Sequence, residues 1–264
     1  MNGDHQFLKV ERPAEHLLLV TINRPEVRNA FNTATGLEIT RLFTELTHDP
    51  GDVRCVVLTG AGDRAFCAGA DLKERHGMTN EAWVRQHEIY ERMLLAVLDC
   101  PLPVIAAVNG PAFAGGFEMM LCCDFAWAVK TARFALTEVT LGIMPGGGGT
   151  QTLPRTAGIR RAKEIILSGR PFDAEQALAW GIVNRLCEPG KLMDETLDLA
   201  RTICANAPLS VRQAKKSMQH GTQMDLHSGM LFEIEAYNRL VGTEDRIEGI
   251  TAYNEKRRPA FKGR

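Results

Sequence analysis

Aromatic residues are scarce in this chain, 6% of 264 residues, and charge of either sign is nearly cancelled: 31 Lys and Arg face 32 Asp and Glu, for a net charge of −1. Near-neutrality excludes a polybasic nucleic-acid arm. With 45% hydrophobic and 24% charged residues the chain is not disordered. No segment approaches the roughly 18 uninterrupted apolar residues of a membrane span. The longest apolar stretches, Val104–Val108 and Leu121–Val129, are short or broken by Asp124 and read as core. The N-terminus has neither a basic-then-apolar signal nor an Arg-rich transit pattern, so a cytoplasmic protein is expected. Paired cysteines are missing too. Cys55, Cys67, Cys100, Cys122, Cys123, Cys187 and Cys204 are odd in number and contain no CxxC, which disfavours a disulfide framework or a zinc site. They read as buried thiols. Cys67 alone lies in a glycine-rich loop, but a thiolate nucleophile needs a nearby His, and the nearest in sequence is His76. The seven His form no HExxH or HxH pair, and no metal site is expected.

A chain of this length buries roughly three quarters of its unfolded surface, enough for a large core without staples. Leu17–Ile22, Cys55–Leu58, Val104–Val108 and Asp124–Val129 read as buried strands. Helical patterns run between them: Thr33–Leu46, with Leu37, Leu42, Phe43 and Leu46 on the apolar face, and Glu81–Leu98, with Val84, Ile89, Met93, Leu94 and Val97. The alternation indicates an α/β core with a parallel sheet. After about residue 160 helical patterns dominate, at Arg160–Leu167, Ala174–Ala179, Lys191–Ala205, Ser210–His220, Gln223–Leu240 and Glu244–Lys256. Met218, Met224, Leu226, Leu231 and Phe232 mark an apolar side of the last three, suited to packing on the core or on a neighbour.

What the sequence has in quantity is glycine, 24 residues, gathered in clusters. Ala65-Phe66-Cys67-Ala68-Gly69-Ala70-Asp71 follows a strand and opens a charged helical turn. Its small residues admit close approach of a ligand to the backbone, and Asp71 suits an N-cap. On its own this loop reads first as a tight turn. In Asn109-Gly110-Pro111-Ala112-Phe113-Ala114-Gly115-Gly116-Phe117-Glu118 an apolar helix starts at the double glycine, where free amides and the helix dipole favour a developing oxyanion. Glu118 is isolated among Phe117–Cys123, either a solvated first-turn residue or a buried carboxylate with a task. The third cluster, Gly146 to Gly149, follows the lone carboxylate Glu138. It lacks the GxxxxGK[ST] pattern of a phosphate loop. Two amide loops and two carboxylates in apolar context can stabilise an enolate oxygen and move protons near neutrality.

Taken in order, Asn23-Arg24-Pro25…Arg28-Asn29-Ala30, Ala65–Glu74, Pro103–Glu118, Glu138–Gly149 and Tyr253-Asn254-Glu255-Lys256-Arg257 resemble the enoyl-CoA hydratase/isomerase (crotonase) superfamily over nearly the whole chain. The resemblance implies a ClpP-like spiral of ββα units over residues 1–207, with the acyl-CoA site, and a helical trimerisation region over 208–264, as a homotrimer or dimer of trimers. It implies oxyanion-hole amides at Ala70 and Gly115, and catalytic Glu118 and Glu138, twenty residues apart, holding a water. Substrate and CoA contacts fall on Arg24, Ala68, Gly69, Asp71, Leu72 and Gly146, with Tyr253 and Lys256 supplied by a neighbouring tail. No cofactor beyond the coenzyme A of the substrate and no metal is implied. The activity implied is reversible syn addition of water to a 2-enoyl-CoA. Motifs from Phe66 to Arg75 and Pro145 to Gln151 are similar to 3-methylglutaconyl-CoA hydratases, and a fatty enoyl-CoA is the other expectation. Phe113-Ala114 stand where Leu-Gly is common, and Thr152 where Arg is usual. A Δ3,Δ2-enoyl-CoA isomerase and a silent acyl-CoA- or RNA-binding scaffold are the rivals. The net charge gives no support for RNA binding.

Overall fold

The computed structural model describes residues 5–264. Its strands are β1 (Leu8–Ala14), β2 (Leu17–Ile22), β3 (Cys55–Gly60), β4 (Val104–Val108), β5 (Ala112–Phe113), β6 (Phe125–Val129), β7 (Arg133–Ala135), β8 (Phe172–Asp173) and β9 (Arg185–Cys187). The helices are α1 (Thr33–His48), α2 (Leu72–Arg75), α3 (Asn80–Leu98), α4 (Gly115–Cys122), α5 (Gly149–Ala157), α6 (Ile159–Ser168), α7 (Ala174–Ala179), α8 (Leu192–Cys204), α9 (Pro208–Gly221), α10 (Leu226–Val241) and α11 (Glu244–Asn254).

A six-stranded sheet runs β1-β2-β3-β4-β6-β9, antiparallel at β1–β2 and parallel thereafter. Every residue of β3 and β4 is buried. Parallel strands covered on both faces read as continuous apolar runs for this reason. A smaller sheet, β5-β7-β8, lies beside it, and an isolated parallel bridge from Cys67 to Ala112 extends it. Each circuit of the chain thus takes one strand in the large sheet, one short strand or bridge in the small sheet, then a helix: β3, Cys67, α2–α3; β4, β5, α4; β6, β7, α5. The expected spiral of ββα units is therefore built. Because Cys67, β5 and β7 pair in parallel, the loops that follow them emerge together.

All seven cysteines are free and buried. The structure departs from the sequence expectation at several positions. Leu37 and Val84 are exposed, and Ile39 and Tyr90 are buried on those helices instead. Strand β1 was not legible, because Lys9, Glu11 and Arg12 interrupt it and Leu8 is its one fully buried residue. Strand β9 falls where only helical patterns stood out; it is three residues long and closes the edge of the large sheet.

In the tail, α9 is tied to the core by Lys215 Nζ, which donates to Leu102 O at 2.8 Å and to Asp124 Oδ2 at 2.7 Å. Gln219 Nε2 donates to Leu98 O at 3.0 Å. Apolar side chains of α9, of α10 and of the turn between them, by contrast, stand outward: Met218, Met224, Leu226, Leu231 and Tyr237 are all exposed. Among the described residues no helix is long and apolar enough to cross a membrane.

Candidate active site

The loop before α2 is held from both sides. Phe31 N donates to Gly69 O and Asp71 N donates to Phe31 O, both at 2.9 Å, straddling Ala70. The Ala70 amide between them donates to no protein acceptor among the described residues. Asp71 caps α2 by accepting from Lys73 N at 3.1 Å. Its other oxygen takes Arg24 Nη2 at 3.0 Å, while Arg24 Nη1 reaches Ala30 O at 2.5 Å. Asn29 is fully buried in the left-handed region and ties the two segments together. Its side-chain amide donates to Ala61 O and Ala65 O at 3.0 and 2.8 Å, and its Oδ1 accepts from Arg24 N at 3.1 Å. The Arg-Pro…Asn-Ala motif is therefore a clamp on the Ala70 loop.

The second loop lies directly against the first. Ala114 N donates to Ala135 O at 2.8 Å, and the Ala114 carbonyl accepts from Phe117 N and Glu118 N. This leaves the Gly115 amide, at the first turn of α4, without an acceptor among the described residues, where the helix dipole reinforces it. A Cβ on Gly116 would come within 2.2 Å of Cys67 O, so only glycine lets the two loops meet. Ala114 adopts φ 49°, ψ −130°, costly for a residue with a Cβ.

Glu118, in the first turn of α4, is 4% exposed, so it is not a solvated cap. Its Oε1 accepts from Gly147 N at 2.9 Å and Gly149 N at 2.8 Å. A Cβ on Gly147 would sit 2.9 Å from Glu118 Oε2 and 2.1 Å from Leu94 Cδ1. The four-glycine run is thus a carboxylate holder. Burial raises the Glu118 pKa, and the two amides oppose the shift. Glu138 opens the 3-10 turn Glu138–Leu141 and is 7% exposed, with Oε2 lacking a partner among the described residues. Burial pushes it up to about 7, against its own backbone amide and with help from the Glu118 charge.

Both glutamates face one cavity of about 120 Å³. Ala68, Ala70, Leu72, Gly115 and Gly146 line it with them. Arg24, Gly69 and Asp71 do not reach the cavity, and neither do Tyr253 and Lys256 of the same chain. Arg24 is occupied by Asp71, and Tyr253 and Lys256 are exposed. Arg75, His87, Tyr90 and Leu94, none of them expected in the site from sequence, complete the wall from α2 and α3. Their signal was the 87-90-94 spacing, one face of a helix. Cys67 is no nucleophile: burial pushes its thiol up to about 12. No cluster of His, Cys, Asp and Glu suited to a metal ion occurs among the described residues.

A family model described as enoyl-CoA hydratase/isomerase matches residues 12–264. The short-chain-enoyl-CoA hydratase of Clostridium acetobutylicum is 39% identical over 251 residues, covering 93% of this chain and 94% of that protein. The (E)-benzylidenesuccinyl-CoA hydratase of Thauera aromatica is 38% identical over 250 residues, covering 95% and 97%. The crystal structure of an enoyl-CoA hydratase from Bacillus anthracis superposes with a TM-score of 0.96 at 41% identity, covering 98% of this chain and all of that one.

Proposed function

The chain belongs to the enoyl-CoA hydratase/isomerase family, and from that premise we propose that it catalyses the reversible syn addition of water to a 2-enoyl-CoA, giving a 3-hydroxyacyl-CoA. The carrying observation is that two buried carboxyl groups, Glu118 and Glu138, share one small cavity with two uncommitted backbone amides, Ala70 and Gly115. An isomerase shuttles a single proton and has use for one carboxylate; the second favours hydration.

The thioester oxygen accepts from the Ala70 and Gly115 amides, which draw charge from the double bond and stabilise the enolate-like transition state. One such donor is typically worth about 3–4 kcal/mol. Glu118, its Oε1 held by two amides, has Oε2 available to take the proton of the attacking water. Glu138, protonated near neutrality, delivers a proton to Cα. The two carboxyls exchange roles in the dehydration direction. Coenzyme A enters only as the carrier of the acyl group. The cavity is below the roughly 300–1,000 Å³ of a whole ligand site. This supports a short acyl group inside, with the nucleotide lying outside.

Residues 208–264 form the assembly region in this reading. The exposed apolar face of Met218, Leu226, Leu231 and Tyr237 suits burial against further copies, as a trimer or a dimer of trimers. A neighbouring tail then brings Tyr253 and Lys256 to the CoA.

Hydration of crotonyl-CoA, followed by loss of the enoyl absorbance, tests the assignment. Glu118→Gln and Glu138→Gln are each expected to slow it by about 10²–10⁴-fold. Either variant turning over at the wild-type rate removes that residue from the mechanism. Gly115→Pro, lacking the oxyanion amide, is expected to be inactive.

A further inference from the structure

Ala114 is held in a backbone conformation that suits glycine. Its φ of 49° with ψ −130° lies outside the left-handed well that Arg28 occupies at φ 55°, ψ 39°. Among the described residues it is the one alanine at positive φ. Nothing in its hydrogen bonding asks for a side chain. Its amide donates to Ala135 O at 2.8 Å, and its carbonyl accepts from Phe117 N at 2.9 Å and Glu118 N at 3.0 Å, bonds that glycine would make equally well. What glycine would lack is the methyl group, and that methyl stands at the reacting end of the cavity. Ala114 directly precedes the Gly115 amide and lines the cavity with Ala70, Glu118 and Glu138. Its Cβ also abuts the other oxyanion loop: a Cβ added to Gly69 would lie 3.0 Å from it. With Gly69 behind it and its own main chain bonded on both sides, the methyl cannot swing aside.

A thioester whose oxygen accepts from the Ala70 and Gly115 amides carries sulfur on one side of its carbonyl carbon and Cα on the other. The sulfur leads out toward coenzyme A, and Cα leads in, toward Glu118 and Glu138. We propose that Ala114 is a specificity residue for Cα: its methyl fills the room that a substituent there needs, so that 2-enoyl-CoA thioesters with hydrogen at Cα are preferred and 2-methyl-branched ones are rejected. This deepens, and rests on, the hydratase reading. Strain and selection are two sides of one residue, because glycine would relieve the backbone and open the space at once. The wall supplied by α2 and α3 is a separate surface, so selection at Cα and selection along the chain vary independently.

The test measures kcat/KM for hydration of crotonyl-CoA and 2-methylcrotonyl-CoA by wild type, Ala114→Gly and Ala114→Ser. Calorimetric titration with propionyl-CoA and isobutyryl-CoA, saturated thioesters that differ only by a methyl at Cα, is run alongside. Wild type is expected to favour the unbranched member of each pair, by about 10–200-fold in kcat/KM, the range for one methyl in a fitted pocket. A 2-methyl group also slows hydration by itself, and the change in ratio between proteins cancels that contribution. In Ala114→Gly both ratios should fall, the kinetic one about tenfold or more. Ala114→Ser keeps the Cβ and should stay close to wild type. A wild type without preference overturns the proposal, as do ratios that survive in Ala114→Gly. An equal change for branched and unbranched thioesters does so too, since it indicates a general effect on the oxyanion loops. Should neither enoyl thioester be hydrated while the affinity ratio still follows residue 114, the hydratase reading falls and the role of Ala114 stands.

Discussion

Replacing Glu138 by Gln should stabilise the protein in a pH-dependent way while destroying its activity. The Glu138 carboxyl, ordinarily titrating at 4.5, is held at about 7 because burial disfavours its charge and the Glu118 carboxylate adds repulsion. Below 4.5 the group carries its proton in both native and unfolded chains, and wild type differs from the variant only in shape. Between 4.5 and 7 the unfolded chain releases the proton and the native one keeps it, so wild-type stability falls relative to Gln as pH rises. Above 7 the deficit is complete. At about 1.36 kcal/mol per tenfold change the interval amounts to about 3.4 kcal/mol. Water at the mouth of the cavity screens the charge, which reduces the expected gain to about 2 kcal/mol. For a chain of this length that is roughly 4–8 °C in Tm. Thermal unfolding of both proteins at about pH 5 and about pH 8 measures it, the gap widening at the higher pH. A gap that is constant, or that narrows with pH, refutes the reasoning. The wild-type hydration rate should decline as pH rises through about 7, where Glu138 loses the proton it is to deliver.

Three other outcomes are expected. Ala114→Gly relieves a backbone at φ 49°, ψ −130°; strain of about 1–3 kcal/mol outweighs the roughly 0.4–1 kcal/mol of added unfolded-state freedom, so denaturant unfolding should report a net gain of about 1 kcal/mol. Arg24→Met removes the bonds to Asp71 and Ala30 that steady the Ala70 amide, and should lower kcat about tenfold, a loss of about 1.4 kcal/mol; a raised KM at unchanged kcat would show instead that Arg24 serves only to bind CoA. A disulfide exchange reagent added to native protein should modify essentially no cysteine, since all seven are buried, and should react with all of them in denaturant; rapid labelling of Cys67 in the native state would contradict its elevated pKa.

Much of the site was legible because its chemistry runs against its surroundings. Glu118 and Glu138 stood out as carboxylates among apolar neighbours, and the clusters around Gly69, Gly115 and Gly146 as backbone without side chains. The strands β2, β3, β4 and β6 followed from continuous apolar runs. What escaped was set by packing between segments. Gly147 and Gly149 looked like company for Glu138, yet their amides serve Glu118, from a different circuit of the spiral. Arg75 and Tyr90 carry no local oddity as letters in amphipathic helices. Their meaning comes from α2 folding back on α3, through Gln86 and Trp83. Leu37 and Val84 were misassigned because periodicity fixes a helical stripe only to within a residue or so of its edge.

The two amide donors are fixed by contacts of main chain with main chain: the added Cβ of Gly69 would stand 3.1 Å from Gly115 N, and that of Gly116 2.2 Å from Cys67 O. Arg75, His87, Tyr90 and Leu94, in contrast, are side chains on two consecutive helices. The reacting end of the cavity and its selecting wall are therefore separable in inheritance. Substitutions along α3 can exchange one acyl preference for another without displacing a backbone amide, whereas almost any change at Gly69, Gly115 or Gly116 disturbs both loops at once. A mutational library confined to positions 83, 87, 90 and 94 should accordingly yield folded proteins of altered substrate range far more often than one of equal size spread over the glycine loops.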